Sequence, residues 1–365
     1  MTAADLASAD LRAAVDALPP ARPARATAAL TGLGVALVAV AVVSAGVGQM
    51  NLSPAEVWHV LAAQLGFDWG TPSAHPNAEA VLLSVRFPRV ALAALAGAGL
   101  GTAGALMQGV FGNPLAEPGV IGVSAGAAAA ACGYIALGSQ GAGPWGAALF
   151  AFAGGLGTTF LVYALSRSGG RTEVVTLVLT GIAVNAVAGA AIALFTFLAD
   201  TAAREEIIFW QLGSLNGTRW AYVAIAAPIV TVAVALASTL ARKLDLLSLG
   251  ERSARHLGVD VERLRVVVIV LVAAMTAAAV AFCGIIAFVG LVVPHLVRLA
   301  LGPGHRVLLP ASALGGAVLL MTADVVARTA VDYADLPIGM LTSLVGGPFF
   351  FYLLRRSRRQ AGGWA

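Results

Sequence analysis

The sequence predicts an all-α polytopic membrane protein with about ten transmembrane helices. Three observations predict it. Only 11% of the 365 residues are charged and 59% are hydrophobic, whereas a soluble domain carries about 25% charge. Mean hydropathy is +0.89. Apolar runs recur from Ala28 to Leu354, each close to the roughly 20 residues needed to cross a bilayer core of about 30 Å. The basic residues also fall unevenly on the alternating segments between those runs.

Residues 1–27 read as a flexible cytoplasmic tail, with Pro19, Pro20 and Pro23 among alanines and mixed charges. The first apolar run starts too late for a secretory signal, so it is read as a retained helix. Spans are expected at 28–49, 88–108, 118–138, 143–165, 173–199, 219–241, 262–282, 285–301, 306–328 and 337–354. The fifth is long enough to be tilted, kinked or followed by a short extra helix. Residues 28–356 then form one ten-helix domain, with 357–365 a second tail. An even number of spans puts both termini on one side. That side holds 17 of the 22 basic residues, leaving Arg86, Arg89, Arg204, Arg219 and Arg328 on the other. The positive-inside rule makes the richer side cytoplasmic. The net charge of +4 therefore reflects topology, and no nucleic-acid partner is needed to explain it.

Between the second and third spans lies "GNPLAEPGVIGVSAG", residues 112–126. Pro114 and Pro118 can each start a helix, where a missing N–H costs little, and Asn113 and Glu117 can satisfy free backbone groups. Broken backbone at membrane depth must be shielded by protein or face a water-filled cavity. The segment reads either as a re-entry beside a pathway or as an ordinary tight turn.

Gly99, Gly101 and Gly104 spell G-x-G-x-x-G, but they lie inside a span, where small residues let helices approach closely. No G-x-x-x-x-G-K-[ST] phosphate loop occurs, so ATP-driven work would need another subunit. His59, His75, His256, His295 and His305 have no ligand spacing, and Cys132 and Cys283 read as small buried residues. No metal site is expected. Glu117 and Asp324 are the acidic exceptions near span ends. The lack of mid-membrane charge argues against an ion-coupled secondary carrier, the alternative from a different class.

The loop at residues 243–265, "KLDLLSLGERSARHLGVDVERLR", spaces Leu246, Leu247, Leu249 and Leu257 among alternating charges. It reads as a short amphipathic helix pair, capped by Ser248 and ended by Gly258, that docks into a partner's groove.

These pieces resemble the FecCD-type permease family, the membrane subunits of type II ABC importers for heme, ferric siderophores and cobalamin. The resemblance rests on "VRFPRVALAALAGAGLGTAGALMQGVFGNPLAEPGVIGVSAGA", "GLVVPHLVR", "ADVVAR" and "DLPIGMLTSLVGGPFFFYLL", in that order, over roughly residues 30–356. It implies a ten-helix subunit with inverted repeats in spans two to five and seven to ten. It also implies pairing with a second copy about a central pathway, two ATPase subunits below and a substrate-binding protein above. ATP and Mg would sit on the ATPases, and this chain would bind no cofactor itself. Arg86, Arg89 and Arg328 match the family's exterior arginines that dock the binding protein. Leu246, Leu249, Gly250, Glu251, Arg252, Leu257 and Gly258 match the ATPase-coupling loop. Ser166, Ser168, Gly169 and Gly170 of "SRSGGRTE" match the cytoplasmic gate loop, and Asn113, Pro114, Glu117 and Pro118 form the turn beside the pathway.

The family does not fix the cargo. "EIIFWQLGSLNGTRW", residues 206–220, leans toward heme. The order of expectation is heme, then ferric siderophore, then cobalamin.

Overall fold

The structure, a computed structural model, describes residues 23–67, 69–73, 75–138, 143, 145–168 and 171–360. Among them ten apolar helices fall where the ten spans were expected. These are α1 (Pro23–Gly46), α3 (Ala78–Phe111), α4 (Val123–Ala136), α5 (Gly146–Leu165), α6 (Val174–Leu198), α8 (Trp220–Thr239), α11 (Val261–Cys283), α12 (Val289–Leu301), α13 (His305–Thr329) and α14 (Ile338–Gln360). Between them lie α2 (Pro54–Gln64), α7 (Thr201–Leu212), α9 (Ala241–Leu247) and α10 (Glu251–His256). A two-residue hairpin, β1 (Arg167–Ser168) and β2 (Arg171–Thr172), joins α5 to α6 and pairs Arg167 with Thr172. The side that carries the β1–β2 hairpin, α9 and α10 is called the basic face below.

Several boundaries moved for physical reasons. Helix α1 is described from Pro23, inside the expected tail, and residues 1–22 lie outside the described residues. Helix α14 continues through Gln360, past the expected end at residue 354. The second span is extended at its start by a π-turn, Leu82–Arg86, and the Trp220 indole N–H donates to the Leu83 carbonyl within it at 2.6 Å. The short extra helix after the fifth span is α7, its N-terminus capped by Asp200, which accepts from Ala203 N.

Burial decides the layout. In both α3 and α11, 72% of the apolar window is buried, against none of α1's. The first two are therefore the centre of the bundle, and α1 is a wall facing outward. Close backbone approach holds that centre. An added methyl at Gly101 would overlap the Ser312 carbonyl of α13, and one at Gly104 would overlap the Gly290 carbonyl of α12. Without a hydrophobic drive between helices in lipid, such van der Waals contact is what holds them together. A methyl added at Gly99 would meet Val230 and Met275 at ordinary contact distance. The G-x-G-x-x-G string is therefore a packing seam.

The two halves echo each other, as inverted repeats do. Each opens on a long buried helix, breaks at a left-handed residue, and resumes as a short helix. The breaks are at Gly122 (φ 81°) before α4 and Phe288 (φ 66°) before α12.

Helix α2 was not anticipated, although "SPAE" carries its signal. Ser53 and Glu56 form a reciprocal capping box. The Glu56 carboxyl is held down at about 2, first by the Ser73 hydroxyl and then by Ser53. A carboxyl depressed in the folded state stabilises fully above its ordinary value of 4.5 and loses that effect as pH falls through about 2. Amide exchange across α2, corrected for its intrinsic pH dependence, should therefore stay protected from pH 7 to pH 5. Ser53→Ala should weaken the helix by about 0.5–2 kcal/mol and speed that exchange.

Candidate functional sites

On the basic face, α9 and α10 are fixed to the bundle by their inner side chains. Leu244, Leu247, Ala254 and Val259 are buried in the main core. Leu246 is half-buried against it, and Leu249 and Leu257 point outward, 43% and 51% exposed. Glu251 and Arg252 are exposed, and Gly250 (φ 100°) and Gly258 (φ 84°) make the bends around α10. The leucine spacing was legible, but the cap was not. Ser248 closes α9, its hydroxyl donating to the Asp245 carbonyl at 2.6 Å, while Gly250 occupies the N-cap of α10 without a side-chain bond. Asp245 in turn accepts from the backbone N–H of His305 at 2.8 Å and lies 2.7 Å from its Nδ1.

A cleft of about 560 Å³ opens beside this loop, lined by Gln108, Pro114, Val174, Gly250, Glu251 and Arg298 among others. It brings the "GNPLAEPG" turn to the coupling loop. Asn113 Oδ1 accepts from Leu115 N at 2.9 Å. Pro118 starts a short 3₁₀ turn, Pro118–Ile121, but Pro114 starts no helix and Glu117 makes no side-chain cap. Glu117 is half-buried, and burial pushes its carboxyl up. Of the expected gate residues, Ser166 is buried and its hydroxyl donates to the Tyr163 carbonyl at 2.9 Å. Ser168 lies in β1. Gly169 and Gly170 lie outside the described residues.

On the opposite face the three expected docking arginines do not stand free at a rim. Arg86 and Arg89 are 6% and 9% exposed, and the Arg328 side chain is 8% exposed. The last carbonyls of a helix have no partner within it, and two of these arginines supply one to α1. Arg86 donates to the carbonyls of Ala45 (2.6 Å), Gly46 (2.9 Å) and Met50. Arg328 donates to Val47 O at 2.8 Å, to Ser44 O, and to Ser44 Oγ at 2.8 Å. Arg89 grips Asp324 through Nε (2.9 Å) and Nη2 (2.9 Å), and Asp335 through Nη1 (2.7 Å). Asp335 was missed because nothing in "DYADLPIG" marks it. Asp324, the charge inside a span, is thereby neutralised by Arg89, with Arg328 Nε at 3.6 Å.

A second cleft, of about 400 Å³, also lies on this face. Its walls include Phe209, Trp210, Tyr222 and Phe282. Tyr222 stacks on Phe282 at 5.1 Å and meets Trp145 edge-on at 5.0 Å.

Comparison with known proteins agrees with this architecture. The model of the FecCD transport family matches residues 36–356. The hemin transport system permease of Yersinia pestis is 40% identical over 332 residues, covering 90% of this chain and 95% of that protein. The cobalamin import system permease of Halobacterium salinarum is 44% identical over 299 residues, covering 80% and 77%. The Fe(3+) dicitrate permease of Escherichia coli is 40% identical over 278 residues, covering 76% and 86%. An ABC transporter assigned to the metal-chelate type, solved in an inward-facing conformation, superposes with a TM-score of 0.79 at 34% identity. That match covers 90% of this chain and 98% of the other. A ten-helix bundle with a leucine-bearing loop on its basic face is the permease half of an ABC importer. The chain belongs to the FecCD transport family.

The knot yields a graded expectation. Asp324 is 1% exposed and holds two arginines, whereas the Asp335 side chain is 25% exposed. Asp324→Asn should cost about 3–5 kcal/mol, because it removes the buried carboxylate facing both Arg89 and Arg328 and leaves Arg89 only the more exposed Asp335. Asp335→Asn should cost about 1 kcal/mol or less. Thermal unfolding of the purified permease in detergent checks the ranking.

Proposed function

We propose that this chain is the permease subunit of a heme importer, acting as a homodimer in the cytoplasmic membrane with both termini inside. Two ATPase subunits dock on the basic face and hold ATP and Mg, while a substrate-binding protein delivers cargo to the opposite face. The permease itself hydrolyses nothing and holds no cofactor. The observation that carries the heme reading is the aromatic-walled cleft of Trp210, Tyr222 and Phe282, whose flat apolar surfaces suit a planar macrocycle. The extent of the hemin relative, 95% of whose length is matched, supports it. The second reading is cobalamin, favoured by the 44% identity of that relative; a ferric siderophore is third. An ion-coupled carrier is disfavoured because Asp324 is bound to arginine.

The binding protein is taken to dock over the arginine knot. Arg86, Arg89 and Arg328 then support that surface from beneath. The pathway turn at Asn113, Pro114, Glu117 and Pro118 and the gate loop at Ser166, Ser168, Gly169 and Gly170 are proposed to shape the cytoplasmic exit.

The cargo is tested by reconstituting the complex in vesicles with its cognate binding protein. ATP-dependent uptake of hemin in preference to cobalamin and ferric siderophores is expected; preference for cobalamin would overturn the heme reading. The docking site has its own test. Leu249 and Leu257 are exposed, so Leu249→Asp and Leu257→Asp should leave folding intact. Each would bury a charge in the ATPase groove at a cost of several kcal/mol if unpaired. Co-purification of the ATPase should therefore fall sharply, and unchanged assembly in both variants would exclude this surface.

A further inference from the structure

Between the coupling helix and the gate hairpin lies a chain of polar contacts that the sequence reading did not contain. Arg265, in the first turns of α11, is 5% exposed. Its Nη2 is paired with Glu251 of α10, and its Nη1 donates to the Thr172 carbonyl of β2 at 3.1 Å. Thr172 is itself bound a second time to α11. Its backbone N–H donates to Glu262 Oε2 at 3.1 Å and its hydroxyl donates to Glu262 Oε1. A buried guanidinium thus joins two elements that lie 14 and 93 residues away along the chain. Its planar fork fixes direction as well as distance.

The position of Glu251 gives the contact its meaning. It is the first residue of α10, a helix flanked by the outward-facing Leu249 and Leu257. A partner that seats on those leucines and shifts α10 must move Glu251. The Arg265 side chain is 6% exposed and that of Glu251 44%, so solvent reaches the contact from the Glu251 side only, and the bonds of Arg265 to the hairpin stay buried.

We propose that Arg265 is a positioning residue that transmits movement of the coupling helix to the β1–β2 hairpin through Glu251, Arg265, Thr172 and Glu262. This rests on the importer reading above and deepens it. Arg265 touches neither cargo nor nucleotide in this scheme. Its role is to make hairpin and coupling helix move as one body.

The test uses the intact permease–ATPase complex carrying Arg167→Cys, at an exposed position of β1, as a maleimide-reactive reporter. The native Cys132 and Cys283 are buried, so their background should be low. The readout is the ratio of labelling rates with and without ATP and Mg, with ATPase co-purification as the control for folding. In the parent complex this ratio should differ clearly from one. Arg265→Gln should bring the ratio toward one by about 2- to 30-fold, the range seen when a coupling network is altered, while ATPase still co-purifies. Arg265→Lys keeps the charge and should recover part of the response, which a purely structural loss would not. Should Arg265→Gln fail to fold, Thr172→Val removes the hydroxyl bond to Glu262, leaving the backbone bonds, and should give a smaller change in the same direction. A parent-like ratio in the well-folded variants would overturn the relay. A parent complex that recruits no ATPase or ignores ATP would instead count against the importer reading, and the relay with it.

Discussion

Helix α3 lies so close to α12 and α13 that carbonyl oxygens occupy the places where side chains would stand. Gly97 and Gly316 exclude each other's Cβ, Gly101 faces the Ser312 carbonyl, and Gly104 faces that of Gly290. In a bilayer, packing of this kind replaces the hydrophobic effect as the force between helices. Both faces of the protein depend on it. One end of α3 carries Gln108 and the turn that borders the basic-face cleft. The other end carries Arg86 and Arg89, which tie α1, α13 and the loop before α14 together. A shift of α3 against α13 would move both faces.

Charge is used differently at the two ends. On the opposite face Arg86, Arg89 and Arg328 are turned inward: they complete the open carbonyls of α1 and neutralise Asp324 and Asp335. The result is a stiff floor under whatever docks above. On the basic face, charges bridge separate elements, as Arg265 does between α10 and the hairpin, while apolar Leu249 and Leu257 are left uncovered. A cross-braced surface on one face and linked elements with uncovered leucines on the other suit the permease subunit of an ABC importer.

Much of this was legible in the sequence. The ten spans and the fold class follow from run length and charge bias, because both report directly on the bilayer. The leucine spacing of the α9–α10 loop was visible, but not which leucines face the core: Leu247 is buried and Leu246 half-buried, whereas Leu249 and Leu257 are exposed. Arg86, Arg89 and Arg328 do lie together on the face opposite the basic one, but they were expected to point outward and are turned inward. Charge count gives the side of the membrane and says nothing of the unpaired carbonyls of α1 that Arg86 and Arg328 fill. The contacts of Arg265 and Asp335 were invisible for a related reason. Their partners lie 93 and 246 residues away, and no local pattern records such a meeting. The Ser248 cap failed because Gly250, with its positive φ, already set the start of α10.

The most direct test of the central claim compares alanine at glycines that face backbone with alanine at glycines that face open space. Gly101 and Gly104 belong to the first kind; Gly32 in α1 and Gly157 in α5 have nothing within 4 Å of an added Cβ. Thermal unfolding of each purified variant in the same detergent is the measurement. Gly32→Ala and Gly157→Ala should leave stability within about 1 kcal/mol of the parent or raise it, since alanine is the better helix former. Gly101→Ala and Gly104→Ala should lose at least the roughly 1–3 kcal/mol of an overpacked core, because the obstacle is backbone and cannot rotate away. Equal, small effects at all four positions would contradict the claim that this seam holds the bundle together.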